Sequence, residues 1–157
     1  MYDVGDIVKD FELESTNGTY RLSERVKDNN ALLYFYVINF GKTCTDYMAI
    51  MNERLPDLES RKVELVHINP ESVENHRDWM RSTSSLYEHL SDKGQAVSRD
   101  FDCIVTKAKN EKIIGNTNRA FFLIDRDLRV RYCWRADVPT DTVPFDELLD
   151  AIDKALS

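Results

Sequence analysis

One cysteine stands where this sequence could generate a reactive thiolate. Cys44 ends a short polar loop with Gly41, Lys42 and Thr43, between an apolar run and a segment with helical periodicity. The unpaired amide groups in the first turn of a helix carry a partial positive charge, which favours an anion. A cysteine at such a place can lose its proton and act as a nucleophile. Cys44 is therefore the first candidate for chemistry.

Two predicted elements position this cysteine. The apolar run, Ala31–Ile38, is rich in aromatic and β-branched residues, which is typical of a strand buried on both faces of a sheet. After the loop, four apolar residues form one stripe of a helix: Met48, Met51, Leu55 and Leu58. Pro56 should kink this helix or start a new one.

The rest of the chain predicts more strands and helices around this unit. Phe11–Glu14 and Thr19–Leu22 alternate around Asn17-Gly18, which predicts a hairpin because both turn residues tolerate positive φ. Further strands are predicted over Val63–Ile68, Phe121–Ile124 and Val130–Trp134, with a weak strand or turn at Leu86–Leu90. Further helices are predicted after a Ser72 cap, over Gly94–Phe101 and from Pro144, and a loop over Val105–Asn118. The order is thioredoxin-type: an α/β fold with a central mixed sheet flanked by helices, an N-terminal hairpin extension and one domain over residues 1–157.

The bulk properties of the chain disfavour several classes of function. Its 157 residues are 42% hydrophobic and 31% charged, and the net charge of −7 argues against binding to nucleic acid or an anionic membrane. No apolar run could span a membrane and no signal peptide is recognisable, so we expect a cytoplasmic protein. Three cysteines without a C-x-x-C motif and three scattered histidines predict neither a disulfide framework nor a metal site. Without a glycine-rich phosphate loop, no cofactor is predicted.

Short motifs over nearly the whole chain occur in the order of one known family. They are V-G-D at Val4–Asp6, D-F-E-L at Asp10–Leu13, Y-F-Y at Tyr34–Tyr36, C-T at Cys44-Thr45 and R-A-F-F-L-I-D at Arg119–Asp125. In this order and spacing the chain resembles the peroxiredoxins, the thiol peroxidases related to alkyl hydroperoxide reductase and thiol-specific antioxidant proteins. The resemblance implies reduction of hydrogen peroxide or small organic hydroperoxides.

The same resemblance implies roles for individual residues. Cys44 matches the peroxidatic cysteine, and Arg119 matches the arginine that supports its thiolate. The peroxide pocket is expected from four residues of the preceding segment: Val37, Phe40, Gly41 and Thr43. Val37 and Gly41 depart from the family, which has proline and a hydroxyl-bearing residue at these positions.

The expected reaction makes a sulfenic acid at Cys44, which a thiol then reduces. Cys103, at a predicted helix end, is the candidate resolving thiol, whereas Cys133 lies within an apolar strand and is expected to be buried. Because Ala49 occupies the resolving position of some relatives, a one-cysteine mechanism with an external thioredoxin- or glutaredoxin-like reductant is favoured. A homodimer around Cys44 is implied by the resemblance alone.

Two other functions stay open at the level of sequence. The departures at Val37 and Gly41 favour a non-catalytic or redox-sensing domain that kept only the scaffold. A thioredoxin-like disulfide oxidoreductase is less favoured because Tyr47 stands where its second cysteine would be. For Cys44 itself, the plain alternative is a buried and inert side chain.

Overall fold

The computed structural model describes residues 1–157 and contains a seven-stranded mixed sheet. In chain order the strands are β1 (Glu12–Ser15), β2 (Gly18–Arg21), β3 (Asn30–Phe35), β4 (Val63–Asn69), β5 (Glu88–Ser91), β6 (Ala120–Ile124) and β7 (Val130–Arg135). Their order across the sheet is β2-β1-β5-β4-β3-β6-β7. The pairs β3–β4 and β4–β5 are parallel, and the other neighbours are antiparallel. The predicted mixed sheet with an N-terminal hairpin is confirmed.

Five helices accompany this sheet. They are α1 (Leu22–Arg25), α2 (Lys42–Glu59), α3 (Val73–Thr83), α4 (Ala96–Asp100) and α5 (Phe145–Leu156), and a single 3₁₀ turn covers Glu111–Ile113. The predicted cap of α3 is present, because the Ser72 hydroxyl accepts a hydrogen bond from the Asn75 amide. None of these helices has the length and apolar character that a membrane crossing requires.

Strand β3 divides the apolar core into two layers. Successive side chains of a strand point to opposite faces, so Leu32 and Tyr34 join one cluster while Leu33 and Phe35 join the other. The first cluster packs under α2 and α5, and it includes Cys44. The second lies on the far face of the sheet and includes Cys103.

Three local predictions need correction. Helix α2 continues through Pro56 to Glu59, so no new helix starts there; the proline removes only the one hydrogen bond that its own amide would donate. The hairpin turn lies one residue earlier than predicted: Ser15 pairs with Gly18, and only the glycine has a positive φ. Strand β3 ends at Phe35, short of the predicted Ile38, so that Tyr36 to Phe40 belong to the loop before α2.

Three histidines lie fully buried between the sheet and α3. Burial lowers the pKa of His76 to about 4 and that of His89 to about 3, and it lowers the pKa of His67 well below its ordinary range. The His67 ring stacks on Tyr87 at 4.5 Å, and neither of its nitrogens has a hydrogen-bond partner. The fold therefore holds all three imidazoles in the neutral form.

This cluster predicts that acid destabilises the fold at mild pH. Below about pH 6.5 histidines of the unfolded chain bind protons that the folded chain excludes, so the free energy of unfolding falls as the pH falls. The limiting slope is about 1.4 kcal/mol per pH unit for each histidine. Urea titrations between pH 8 and 5 should show this fall, with roughly a third of the slope removed in His67→Phe. Constant stability over this range would contradict the prediction.

Candidate active site

Cys44 is the third residue of α2, at the positive end of the helix. Gly41 precedes the helix in an extended conformation, and its carbonyl accepts the first helical hydrogen bond, from the Thr45 amide. The first turn contains no acidic side chain that could compensate the helix dipole. The Cys44 side chain is 3% exposed. Cys44 thus lies at the start of a helix as predicted, and it is buried there.

Arg119 lies directly before β6 and reaches the same sulfur. Its Nη2 is 3.4 Å from Cys44 Sγ, and the whole residue is 1% exposed. The two meet because Ala120 pairs with Phe35, which places the start of β6 beside the end of β3. The contact that the resemblance implies is therefore present, and the antiparallel pairing of β3 with β6 produces it.

The guanidinium of Arg119 is buried without a carboxylate. Its Nε and Nη2 donate to the Pro139 carbonyl at 3.2 and 3.0 Å, and its Nη1 donates to the hydroxyl of Tyr34. None of the ion pairs in the structure includes Arg119. Burial opposes the charge, yet the neighbouring Tyr34 and Cys44 keep the pKa of Arg119 above its ordinary value. Of the groups it contacts, the Cys44 sulfur is the one suited to supply the compensating negative charge.

A pocket of about 150 Å³ opens onto Cys44. Three of the four predicted pocket residues line it: Val37, Gly41 and Thr43. Phe40 does not, and this part of the prediction is wrong. Its backbone has a φ of 66° and its side chain is 55% exposed, close to the ring of Trp79. The left-handed turn at this residue directs the ring out of the pocket.

Residues distant in sequence complete the pocket. Ile113 comes from the 3₁₀ turn, and Pro139 and Thr140 come from the loop after β7. No sequence motif marks these residues as part of a pocket, because their place in it depends on how the loops pack. The glycine-punctuated stretch that contains Ile113 was predicted as a loop, without any reason to place it near the cysteine.

The space that a side chain at position 41 would need is partly occupied. A Cβ on Gly41 would lie 3.0 Å from Cγ2 of Ile38, which is closer than an ordinary contact. Ile38 thus lies beside position 41, where the family has a hydroxyl-bearing residue. The pocket wall over Cys44 is accordingly apolar at Val37 and Ile38, whereas Arg119 supplies a buried charged donor.

Cys103, the candidate resolving thiol, does not lie near Cys44. It is 2% exposed in the cluster on the far face of the sheet, its thiol donates to the Phe101 carbonyl, and burial raises its pKa. Cys133 is only partly buried, at the edge strand β7, and packs against the same far-face cluster. The sheet separates both thiols from Cys44. Of the predicted site residues, Arg119 therefore contacts Cys44, whereas the candidate resolving thiol does not.

Comparison with known proteins identifies the class. Residues 4–133 match the AhpC/TSA family, and the chain belongs to this family, which is that of the peroxiredoxins with their thioredoxin-like fold. It is 26% identical to 1-Cys peroxiredoxin PER1 of Zea mays over 98% of the chain and 73% of the relative. It is 25% identical to 1-Cys peroxiredoxin B of Oryza sativa subsp. indica over 82% of the chain. This second match covers 61% of the rice protein, so the chain is shorter than these relatives.

Solved structures agree with the fold. A peroxiredoxin 6 of Arenicola marina superposes with a TM-score of 0.89 at 19% identity, over 98% of the chain and 73% of that protein. PrxQ of Xylella fastidiosa superposes with a TM-score of 0.86 at 21% identity, over 100% of the chain and 99% of that protein. A yeast mitochondrial 1-Cys peroxiredoxin, described as resolved through glutathione/thioredoxin systems, gives 0.84 at 20% identity, over 98% and 76%.

Because the Arg119 guanidinium has no carboxylate partner, we expect removal of its charge to lower the reactivity of Cys44. In Arg119→Met the thiolate loses its counter-charge, so alkylation of Cys44 by iodoacetamide at pH 7 should slow at least roughly tenfold. Mass spectrometry of the Cys44 peptide measures the rate, and the Cys133 peptide serves as the internal reference. An unchanged rate at Cys44 would show that Arg119 does not support the thiolate.

Proposed function

We propose that this chain is a peroxiredoxin-type thiol peroxidase in which Cys44 reduces hydrogen peroxide or small organic hydroperoxides. The observation that carries the proposal is the 3.4 Å contact between the Cys44 sulfur and a buried guanidinium that has no carboxylate partner. A buried cation of this kind favours an anion beside it. The helix start adds to the same effect, and the pocket admits a small substrate.

The chemistry follows from these groups. The Cys44 thiolate attacks one oxygen of the hydroperoxide along the O–O axis, so that an S–O bond forms while the O–O bond breaks. The sulfur is oxidised to a sulfenic acid, and the other oxygen leaves as water or an alcohol after it takes up a proton. Arg119 stabilises the negative charge that develops on this oxygen in the transition state.

Reduction of the Cys44 sulfenic acid back to the thiol requires external thiols. A first thiol condenses with the sulfenic acid to give a mixed disulfide and water, and a second thiol displaces Cys44 from that disulfide. Cys103 and Cys133 lie beyond the sheet, which supports a one-cysteine mechanism with a thioredoxin- or glutaredoxin-like reductant. Peroxiredoxins use thioredoxin-type reductants. A homodimer and a cytoplasmic location stay predictions.

The alternative functions have less support. A disulfide oxidoreductase needs a second cysteine at position 47, where Tyr47 is buried with its hydroxyl bonded to the Val143 carbonyl. A non-catalytic or redox-sensing domain that kept only the scaffold would not need a buried arginine and a substrate-sized pocket at the same cysteine. The contact of Arg119 with Cys44 therefore favours the peroxidase.

Replacement of the proposed nucleophile tests the function directly. We expect that Cys44→Ser abolishes the consumption of hydrogen peroxide in the presence of dithiothreitol, because an alcohol at this position cannot form a sulfenic acid. Cys103→Ser is the matched control, and it should retain activity since its thiol lies on the far face. Equal rates in wild type and Cys44→Ser would refute the proposal.

A second cleft of about 340 Å³ adjoins the Cys44 pocket, and both share Ile113, Pro139 and Thr140. Ile113 stands between the two spaces, so the organic part of a hydroperoxide can extend past it. Ile113→Trp should obstruct this path and lower the rate with cumene hydroperoxide, relative to hydrogen peroxide, by about tenfold.

The neighbouring Ile114 provides the control for this experiment. It is exposed and lines neither space, so Ile114→Trp should leave the ratio of the two rates unchanged. If Ile113→Trp also left the ratio unchanged, the adjoining cleft would have no part in substrate selection.

A further inference from the structure

A fixed phenol lies behind the arginine of the active site. Tyr34, in β3, is fully buried and its ring stacks on Phe121 at 4.6 Å and on Tyr36 at 5.8 Å. Its hydroxyl accepts a hydrogen bond from Nη1 of Arg119. Burial raises the pKa of Tyr34, so the phenol stays neutral at physiological pH. The hydroxyl is thus an uncharged acceptor at a position that the sheet holds rigidly.

The orientation of the guanidinium depends on this acceptor. One edge of the Arg119 guanidinium, Nε and Nη2, is bonded to the Pro139 carbonyl, which belongs to a loop. Nη1 is bonded to Tyr34 alone. These two attachments lie on different sides of the planar group, and together they direct Nη2 at Cys44 Sγ. With the loop carbonyl alone, the group could pivot about a single acceptor.

We propose that Tyr34 is a positioning residue for the peroxidase reaction, which orients the guanidinium of Arg119 toward the reacting sulfur and oxygen. This inference rests on the proposed function. Tyr34 does not line the Cys44 pocket, so it acts through Arg119 and does not touch the peroxide. Its role matters more here because position 41 is a glycine and offers no hydroxyl to the peroxide.

The experiment separates orientation from packing. Attack on hydrogen peroxide needs donors aligned with the leaving oxygen, whereas alkylation by iodoacetamide needs the thiolate without such donors. The measured quantity is therefore the ratio of the two rate constants at Cys44 and pH 7. In Tyr34→Phe this ratio should fall roughly tenfold.

Tyr47→Phe is the matched control. It also removes one buried hydroxyl from the same aromatic cluster, 5.8 Å away between ring centroids, but this hydroxyl bonds to the Val143 carbonyl and not to Arg119. Its ratio should stay within about twofold of wild type. A similar fall in both variants would overturn the inference, because loss of packing would then account for the result. No fall in Tyr34→Phe would overturn it as well, because the hydroxyl would then have no part in orienting Arg119.

A double substitution tests whether Tyr34 acts through Arg119. In an Arg119→Lys background the planar guanidinium is absent, so adding Tyr34→Phe should not change the ratio further. An additional tenfold fall would contradict the inference. The wild-type protein distinguishes failure of the proposed function from failure of the role of Tyr34. If it formed no sulfenic acid with peroxide, the proposed function would fail and this inference with it, whereas a reactive wild type with an unchanged Tyr34→Phe ratio refutes the inference alone.

Discussion

The contact between Arg119 and Cys44 is the interaction on which the remaining structure of the site depends. A guanidinium that is 1% exposed is costly to bury, and no carboxylate compensates it. Neutral oxygens accept hydrogen bonds from Nε, Nη1 and Nη2, and Nη2 also donates to the sulfur. A positively charged site without a carboxylate is suited to an anion at its open donor, and the group placed there is the Cys44 sulfur.

The scaffold brings these two groups together from distant parts of the chain. Strand β3 leads into the loop and helix of Cys44, and β6 pairs with β3 so that Arg119 arrives at the same end of the sheet. The rigid layers on both sides of β3 hold the aromatic rings behind the guanidinium. The same sheet separates Cys103 from Cys44, which favours reduction of oxidised Cys44 by an external thiol.

Much of this arrangement could be predicted from the sequence, for identifiable reasons. The apolar run at β3 and the stripe of α2 are strong periodic signals, and they located Cys44 at a helix start. The family motif at Arg119 predicted its meeting with the sulfur. The outward turn at Phe40 and the pocket contribution of Ile113 and Pro139 could not be predicted, because they depend on backbone conformation and loop packing. Burial of Cys103 was missed because a helix end in sequence does not reveal which core it faces.

The Arg119 guanidinium, which has no carboxylate partner, should make Cys44 more reactive with peroxide than an ordinary thiol. Stopped-flow measurement of sulfenic acid formation in the reduced protein at pH 7 tests it most directly. The account predicts a second-order rate constant with hydrogen peroxide that exceeds that of free cysteine by roughly a hundredfold or more. A rate equal to that of free cysteine would contradict the account, since the site would then add nothing to the chemistry of an ordinary thiol.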